Sequence, residues 1–116
     1  MSLMFFAEEA EIPLPPREVR ITEVAVQPAP DGRRAALSIT LTPFLEYPSL
    51  EVTVFRPDGA EDRSLSVIGA LERHFTLTLH LRQSMPGEYR VQVDLIHESE
   101  VLQTQAVAFS LPKPIG

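Results

Sequence analysis

The chain has 116 residues, which is enough for one domain, and a formal net charge of −6 with no Lys/Arg cluster. Such a surface repels phosphate backbones and argues against a nucleic-acid partner. The absence of Cys excludes disulfides, a thiolate nucleophile and Cys-ligated zinc. It fits a reducing cytoplasm, where we expect the protein to lie. No apolar stretch approaches the roughly 20 residues that a membrane helix needs, so no membrane contact is expected.

The N-terminus, residues 1–17, predicts an extended arm that ends in a stiff run of prolines. We do not expect it to be a signal peptide, because it lacks a basic start and acidic residues interrupt its apolar run. Met4 is a second potential start, in which case residues 1–3 carry no functional information. Met4, Phe5 and Phe6 are large apolar residues. We expect them to be shielded from water, either against their own domain or against a neighbouring molecule.

The body of the chain, residues 18–111, reads as seven short strands in which apolar and polar residues alternate. Residues 112–116 form a proline-containing tail. The alternation slips by one at Glu23 and again near Leu102, which predicts two β-bulges. Seven such strands indicate an all-β, antiparallel two-sheet sandwich. The strands are predicted at 19–27, 36–42, 50–55, 63–67, 74–81, 88–95 and 101–111.

FTLTLHLRQSMPGEYRVQV, residues 75–93, resembles the strand E, turn and strand F region of immunoglobulin-like domains. Gly87 and Tyr89 match the corner motif, in which the Tyr hydroxyl bonds to upstream backbone. Val91 stands where antibody domains have a Cys, and Ile39 lies on the strand of the partner Cys. Val54 or Phe55 occupies the place of the core Trp. The missing Cys and Trp point to a bacterial immunoglobulin-like or fibronectin-III-like domain.

The resemblance implies a fold and transfers no catalytic residue. It implies structural roles for Gly87, Tyr89 and Val91. We expect the Tyr89 hydroxyl to bond backbone within residues 83–87. We also expect a shared core of Ile39, Val54, Leu77, Leu79, Val91 and Val93.

No constellation predicts catalysis, a cofactor or a metal, so we expect a protein that is not an enzyme. His74 and His80 share a strand face but are six residues, roughly 20 Å, apart, and His97 lies in a turn. The acidic turn at residues 58–62 is either solvated or a weak calcium site, although it lacks a known ligand spacing. No Ser lies in a nucleophile elbow or beside a His.

Two sheet faces are candidate interaction surfaces, alongside Phe5 and Phe6 of the arm. The first belongs to a sheet that we expect to contain strands 36–42, 63–67 and 74–81. Its outward side chains are hydroxylic and nearly uncharged, so this face could either be solvated or pack against another sheet. They are Ser38, Thr40, Thr42, Ser64, Ser66, Thr76 and Thr78.

The opposite sheet presents Phe55, Arg90 and Ile96 outward. The Phe55 ring and the Arg90 guanidinium could stack, and exposed Phe55 and Ile96 would mark a binding face unless a loop covers them. Phe44, Leu45 and Tyr47 are expected to cap the end of the core rather than to grip a ligand.

The sequence therefore favours a non-catalytic protein-interaction module or a small subunit of an assembly. Self-association is expected, through the arm, the hydroxylic sheet face or an edge strand. A ligand- or carbohydrate-binding accessory domain is the alternative, although the chain has no Trp and only two Tyr.

Overall fold

The structure, a computed structural model, describes residues 12–113. Each predicted strand is present, with ends that differ by a few residues. No helix in the described range is long and apolar enough to cross a membrane. A 3-10 helix (Pro16–Glu18) precedes β1 (Ile21–Pro28), β2 (Arg34–Leu41), β3 (Ser49–Phe55), β4 (Glu61–Val67), β5 (His74–His80), β6 (Gly87–His97) and β7 (Glu100–Leu111).

The seven strands form two antiparallel sheets, with strand orders β1-β2-β5 and β4-β3-β6-β7. This confirms the predicted two-sheet sandwich, and the arrangement is compatible with an immunoglobulin-like domain. Loops 42–48 and 68–73 lie at one end, which we call the near end. Loops 29–33, 56–60 and 81–86 lie at the other, the far end.

The prediction that residues 63–67 join the sheet of β2 and β5 is wrong, because β4 pairs with β3. The linker between β3 and β4 is a tight turn, in which the Arg56 N–H donates to the Ala60 carbonyl at 2.8 Å. Gly59 supplies the positive φ, 89°, that this turn requires. So short a connection favours a hairpin. Ser64 and Ser66 consequently face solvent on the four-stranded sheet, beside Thr53 and Glu51.

The core follows the predicted alternation of side chains along the strands. Five of the six residues expected there have no exposed surface, and Leu77, on the edge strand β5, is half-buried. Both predicted bulges are present. The register of β1 on β2 shifts between Ile21 and Glu23, and that of β6 on β7 shifts opposite Leu102.

The turn between β5 and β6 is held by Tyr89, whose side chain is completely buried. Its hydroxyl donates to the Gln83 carbonyl at 2.5 Å and accepts from the Met85 N–H at 3.0 Å. The predicted bond to backbone in this turn is therefore confirmed. The ring stacks on Phe109 with a centroid separation of 5.1 Å. At Gly87, with φ of 121°, a Cβ atom would lie 3.0 Å from Pro57, so a side chain there would be strained.

One side of the sandwich is closed by a side-chain amide that links its two sheets. The Ile21 N–H donates to Gln103 Oε1 at 2.7 Å, and Gln103 Nε2 donates to the Ile21 carbonyl at 3.2 Å. The amide thus bonds β1 much as a further strand residue would. Nearby, Arg17 pairs with Glu100 at 2.7 Å, and this bond lowers the pKa of the Glu100 carboxyl.

The substitution Tyr89→Phe should lower the free energy of unfolding by about 0.5–1.5 kcal/mol, because the Gln83 carbonyl and Met85 N–H lose their partner. Urea unfolding measures the change. The matched control is Tyr47→Phe, since Tyr47 is exposed, and it should leave the midpoint unchanged. Equal midpoints for all three proteins would contradict the role assigned to the hydroxyl.

Leu79→Ala should cost about 2–5 kcal/mol, because a completely buried side chain is replaced by a cavity. Its neighbour Thr78 is exposed, so Thr78→Ala should cost less than about 0.5 kcal/mol. Denaturation of the two variants side by side tests the direction of every side chain in β5. Similar losses would place β5 one residue out of register.

Candidate functional site

The acidic turn at residues 58–62 does not gather its carboxylates around one point. Asp58 accepts from the Ala60 N–H at 2.9 Å and from Arg56 Nε at 3.3 Å. The hydrogen bond from the Ala60 N–H lowers the pKa of this carboxyl most, and the hydrogen bond from Arg56 lowers it further. Within residues 12–113, no group of three or more His, Cys, Asp or Glu side chains is placed to hold a metal ion.

The Asp62 side chain points away from the acidic turn into the interior of the protein, and the residue is only 4% exposed. The register of β3 on β4 passes from Val54–Arg63 to Phe55–Glu61, so Asp62 is the extra residue of a bulge. A bulge redirects a side chain. The Asp62 carboxylate accepts from the N–H groups of Arg82 at 2.8 Å and Gln83 at 3.2 Å. It therefore anchors the same turn that Tyr89 holds, a role that the sequence did not reveal.

The three histidines do not converge. His74 and His80 stand at opposite ends of β5, and His97 ends β6 in the other sheet. Thr40 Oγ1 lies 2.7 Å from His74 Nδ1, a cross-strand hydrogen bond.

Thr40 and Thr76 lie on the outer face of the three-stranded sheet, as expected. Ser38 Oγ lies 3.1 Å from Thr76 Oγ1, so the cross-strand neighbours satisfy much of each other's hydrogen-bonding capacity. This face is smaller than predicted, because Ser64 and Ser66 belong to the other sheet.

Phe55 and Arg90 are paired in register, and the guanidinium carbon lies 4.6 Å from the ring centroid. The expected stacking is present. Ile96 is six residues from Arg90 along β6, roughly 20 Å away. The polar residues Gln92 and Asp94 separate them, so Phe55 and Ile96 do not share one apolar patch. Ile96 is half-buried and lines a cleft of about 210 Å³ at the near end. Phe5 and Phe6 lie outside the described residues.

The expectation that loop 42–48 caps the core holds only for Phe44. Phe44 is half-buried and packs on the core, with its ring edge-on to Tyr47 at 6.2 Å between centroids. Leu45 and Tyr47 are each 65% exposed. They point outward because Leu14 occupies the inner side of the loop: its N–H bonds the Pro43 carbonyl, and its carbonyl accepts from the Leu45 N–H.

Two further large apolar side chains emerge beside these, on loop 68–73. Ile68 is 87% exposed and Leu71 is 73% exposed. The two loops adjoin, because the Ala70 N–H donates to the Pro48 carbonyl at 2.7 Å and a Cβ atom on Gly69 would touch Tyr47. We call Leu45, Tyr47, Ile68 and Leu71 the loop cluster. The sequence marked neither Ile68 nor Leu71, because outside the strands no periodicity shows which way a side chain points.

A second apolar feature, the proline groove, lies at the far end. Its volume is about 580 Å³, within the roughly 300–1,000 Å³ of common ligand pockets. Its apolar wall consists of Pro28, Pro30, Met85, Pro86, Leu111 and Pro112.

Comparison with known proteins adds a likeness of fold. No protein-family model and no curated protein matches the chain. A Parabacteroides merdae beta-glucuronidase structure matches with a TM-score of 0.64 at 12% identity, over 80% of this chain and 14% of that chain. The same enzyme with glycerol in its active site gives 0.58, at 12% identity over 80% and 13%. Beta-glucuronidase 3 of Bacteroides uniformis gives 0.54, at 20% identity over 79% and 12%. The chain thus spans about an eighth of the length of these enzymes.

Replacement of Asp62 by Ala should lower the free energy of unfolding by about 1.5–3 kcal/mol, because two part-buried hydrogen bonds to a charged acceptor are lost. Asp62→Asn, which keeps one carbonyl acceptor, should cost less. Glu61→Ala is the matched control, since Glu61 is exposed on the same strand. If calorimetry finds Asp62→Ala as stable as the control, the carboxylate does not anchor the turn.

Proposed function

We propose that this chain is a non-catalytic interaction module that binds another protein through the loop cluster. The observation that supports it is the exposure, 65–87%, of four large apolar side chains on two adjoining loops. Apolar residues scattered singly over a surface are common, whereas a group on one end marks a contact site. We place the module in the cytoplasm, in keeping with a chain without Cys.

The backbone presents the loop cluster in a fixed form. Bonds between Ala70 and Pro48, and between Gly69 N–H and Ser49 Oγ at 3.3 Å, tie the two loops together. Leu14 braces loop 42–48 from the other side. A surface ordered before binding loses less conformational entropy when a partner covers it.

The flanks of the loop cluster indicate the chemistry of the partner. Glu46 lies between Leu45 and Tyr47 in the chain, and Glu72 follows Leu71; both are exposed. The partner that fits is a protein surface with an apolar centre and basic side chains at its edge. The likeness to a small part of two enzymes that act on glucuronides also supports an accessory role, in which a sandwich serves a larger protein.

Carbohydrate binding is the second candidate, favoured by the names of these structural neighbours. Against it, Tyr47 is the only strongly exposed aromatic side chain in residues 12–113. Its neighbour Phe44 is tilted by 82°, so the two rings do not make a flat platform for a sugar.

The double substitution Ile68→Ser, Leu71→Ser should abolish partner binding without lowering stability, because both side chains are exposed. The measurement is capture from the native lysate, with the retained protein then purified and titrated against both forms of the chain. Thr76→Ser on the outer sheet face is the control and should bind normally.

If the double variant binds the partner as tightly as the parent chain, the loop cluster is not the contact surface. Titration with glucuronide-containing oligosaccharides addresses the second candidate, and saturation that Tyr47→Ala abolishes would favour it. Hydrolysis of a chromogenic glucuronide by the purified chain would contradict a non-catalytic role.

A further inference from the structure

The proline groove has one basic residue in its lining, and two more lie next to or near lining residues in the chain. Lys113 lines it, and Arg33 and Arg82 flank it in the chain. Within residues 12–113, neither of the two guanidinium groups nor the Lys113 ammonium forms an ion pair. The acidic side chain in the lining, Asp31, already accepts from the Arg33 N–H at 2.9 Å and pairs with Arg34 at 3.1 Å. An apolar groove with a basic edge selects an apolar segment that continues into acidic residues.

The chain itself contains one such segment outside the described residues. Residues 4–11 read Met-Phe-Phe-Ala-Glu-Glu-Ala-Glu, with three large apolar side chains followed by three carboxylates. We infer that the proline groove binds residues 4–11 of a second copy of this chain, with Phe5 and Phe6 in the groove and the glutamates against Lys113, Arg33 and Arg82. This goes beyond the proposed function, because it concerns the opposite end of the sandwich.

To reach the groove of its own chain, the segment would have to be almost fully extended. Leu14 bridges to Phe44, which places residue 12 at the near end. The strand β2 alone, from Arg34 to Leu41, separates the two ends by about 23 Å. Phe6 is six residues and Phe5 seven residues from Ile12, which gives spans of at most roughly 22 Å and 25 Å when fully extended. A second copy can present the segment without this extension.

The loop cluster is a poorer fit for the same segment, although it lies closer. Glu46 and Glu72 flank it, and like charges at a contact oppose binding. Charge therefore favours the far end. A contact between an arm of one copy and a groove of another closes as a reciprocal exchange between two copies, or continues into a larger ring or an open chain.

Sedimentation equilibrium of the full chain measures this contact. The average mass should rise above 12.9 kDa with concentration. Phe5→Ser with Phe6→Ser should weaken association about tenfold or more, equivalent to roughly 1.4 kcal/mol or more. Arg33→Glu with Lys113→Glu should do the same through the groove. Adding Glu8→Lys and Glu9→Lys to that groove variant should restore much of the loss, which a fault in folding would not do.

A mixture of two defective chains separates this arrangement from the others. The arm variant keeps a working groove and the groove variant keeps a working arm, so each alone should be monomeric and the mixture should give a one-to-one pair. A mixture that remains monomeric would overturn the proposal, as would a mass of 12.9 kDa for the parent chain at every concentration.

Two controls test other occupants and other surfaces. Residues 114–116 directly follow Lys113, and their removal should preserve or strengthen association. If association is lost in the truncated chain, the contact belongs to that tail. Ile68→Ser with Leu71→Ser should leave the mass unchanged. A dissociated double variant would place the arm on the loop cluster and refute the inference, while the partner-binding test of that cluster would stand separately.

Discussion

The turn between β5 and β6 carries the chain from one sheet to the other, and its partly buried backbone groups need hydrogen-bond partners there. Two side chains supply them from different directions. Asp62 accepts the N–H groups of Arg82 and Gln83, and the Tyr89 hydroxyl bonds the Gln83 carbonyl and the Met85 N–H. Asp62 lies on β4 and Tyr89 on β6, both in the four-stranded sheet. The turn is therefore hydrogen-bonded to the sheet that contains the strand after it, β6.

Much of the fold was predictable from the sequence because alternation of polar and apolar residues is a direct consequence of strand geometry. The strands, the two bulges and the bonds of Tyr89 all followed from it or from the corner motif. Alternation does not say which sheet a strand joins. Residues 63–67 would alternate in the same way in either sheet, and the tight turn at Arg56–Ala60 decides for β3.

The candidate surfaces were much less predictable, because they depend on how separate loops meet. Tyr47 and Ile68 are 21 positions apart, and contacts of the folded loops, such as the bond from Ala70 to Pro48, reveal that the two loops adjoin. The same holds for Pro30, Met85 and Leu111, which come from three segments to form one groove. Residues 58–62 were predicted to form either a solvated turn or a weak calcium site. The inward direction of Asp62 was missed, because the alternation at 63–67 did not show the bulge that turns this side chain inward. The pairing of Phe55 with Arg90 was predictable because the buried residues of the two antiparallel strands place the end of one opposite the start of the other.

The link between Gln103 and Ile21 has a consequence for how the domain responds to mechanical force. β1 is bonded along its length to β2 alone, and at its first residue a side-chain amide stands in for the missing strand on the other side. Tension applied to the N-terminal segment would load this amide and the Arg17–Glu100 pair before it reached the ladder of β1 on β2. The bulge at Glu23 interrupts that ladder only two residues further on. A pull from the arm would therefore begin by peeling the edge of the sandwich, while the stacked core around Tyr89 and Phe109 stayed closed.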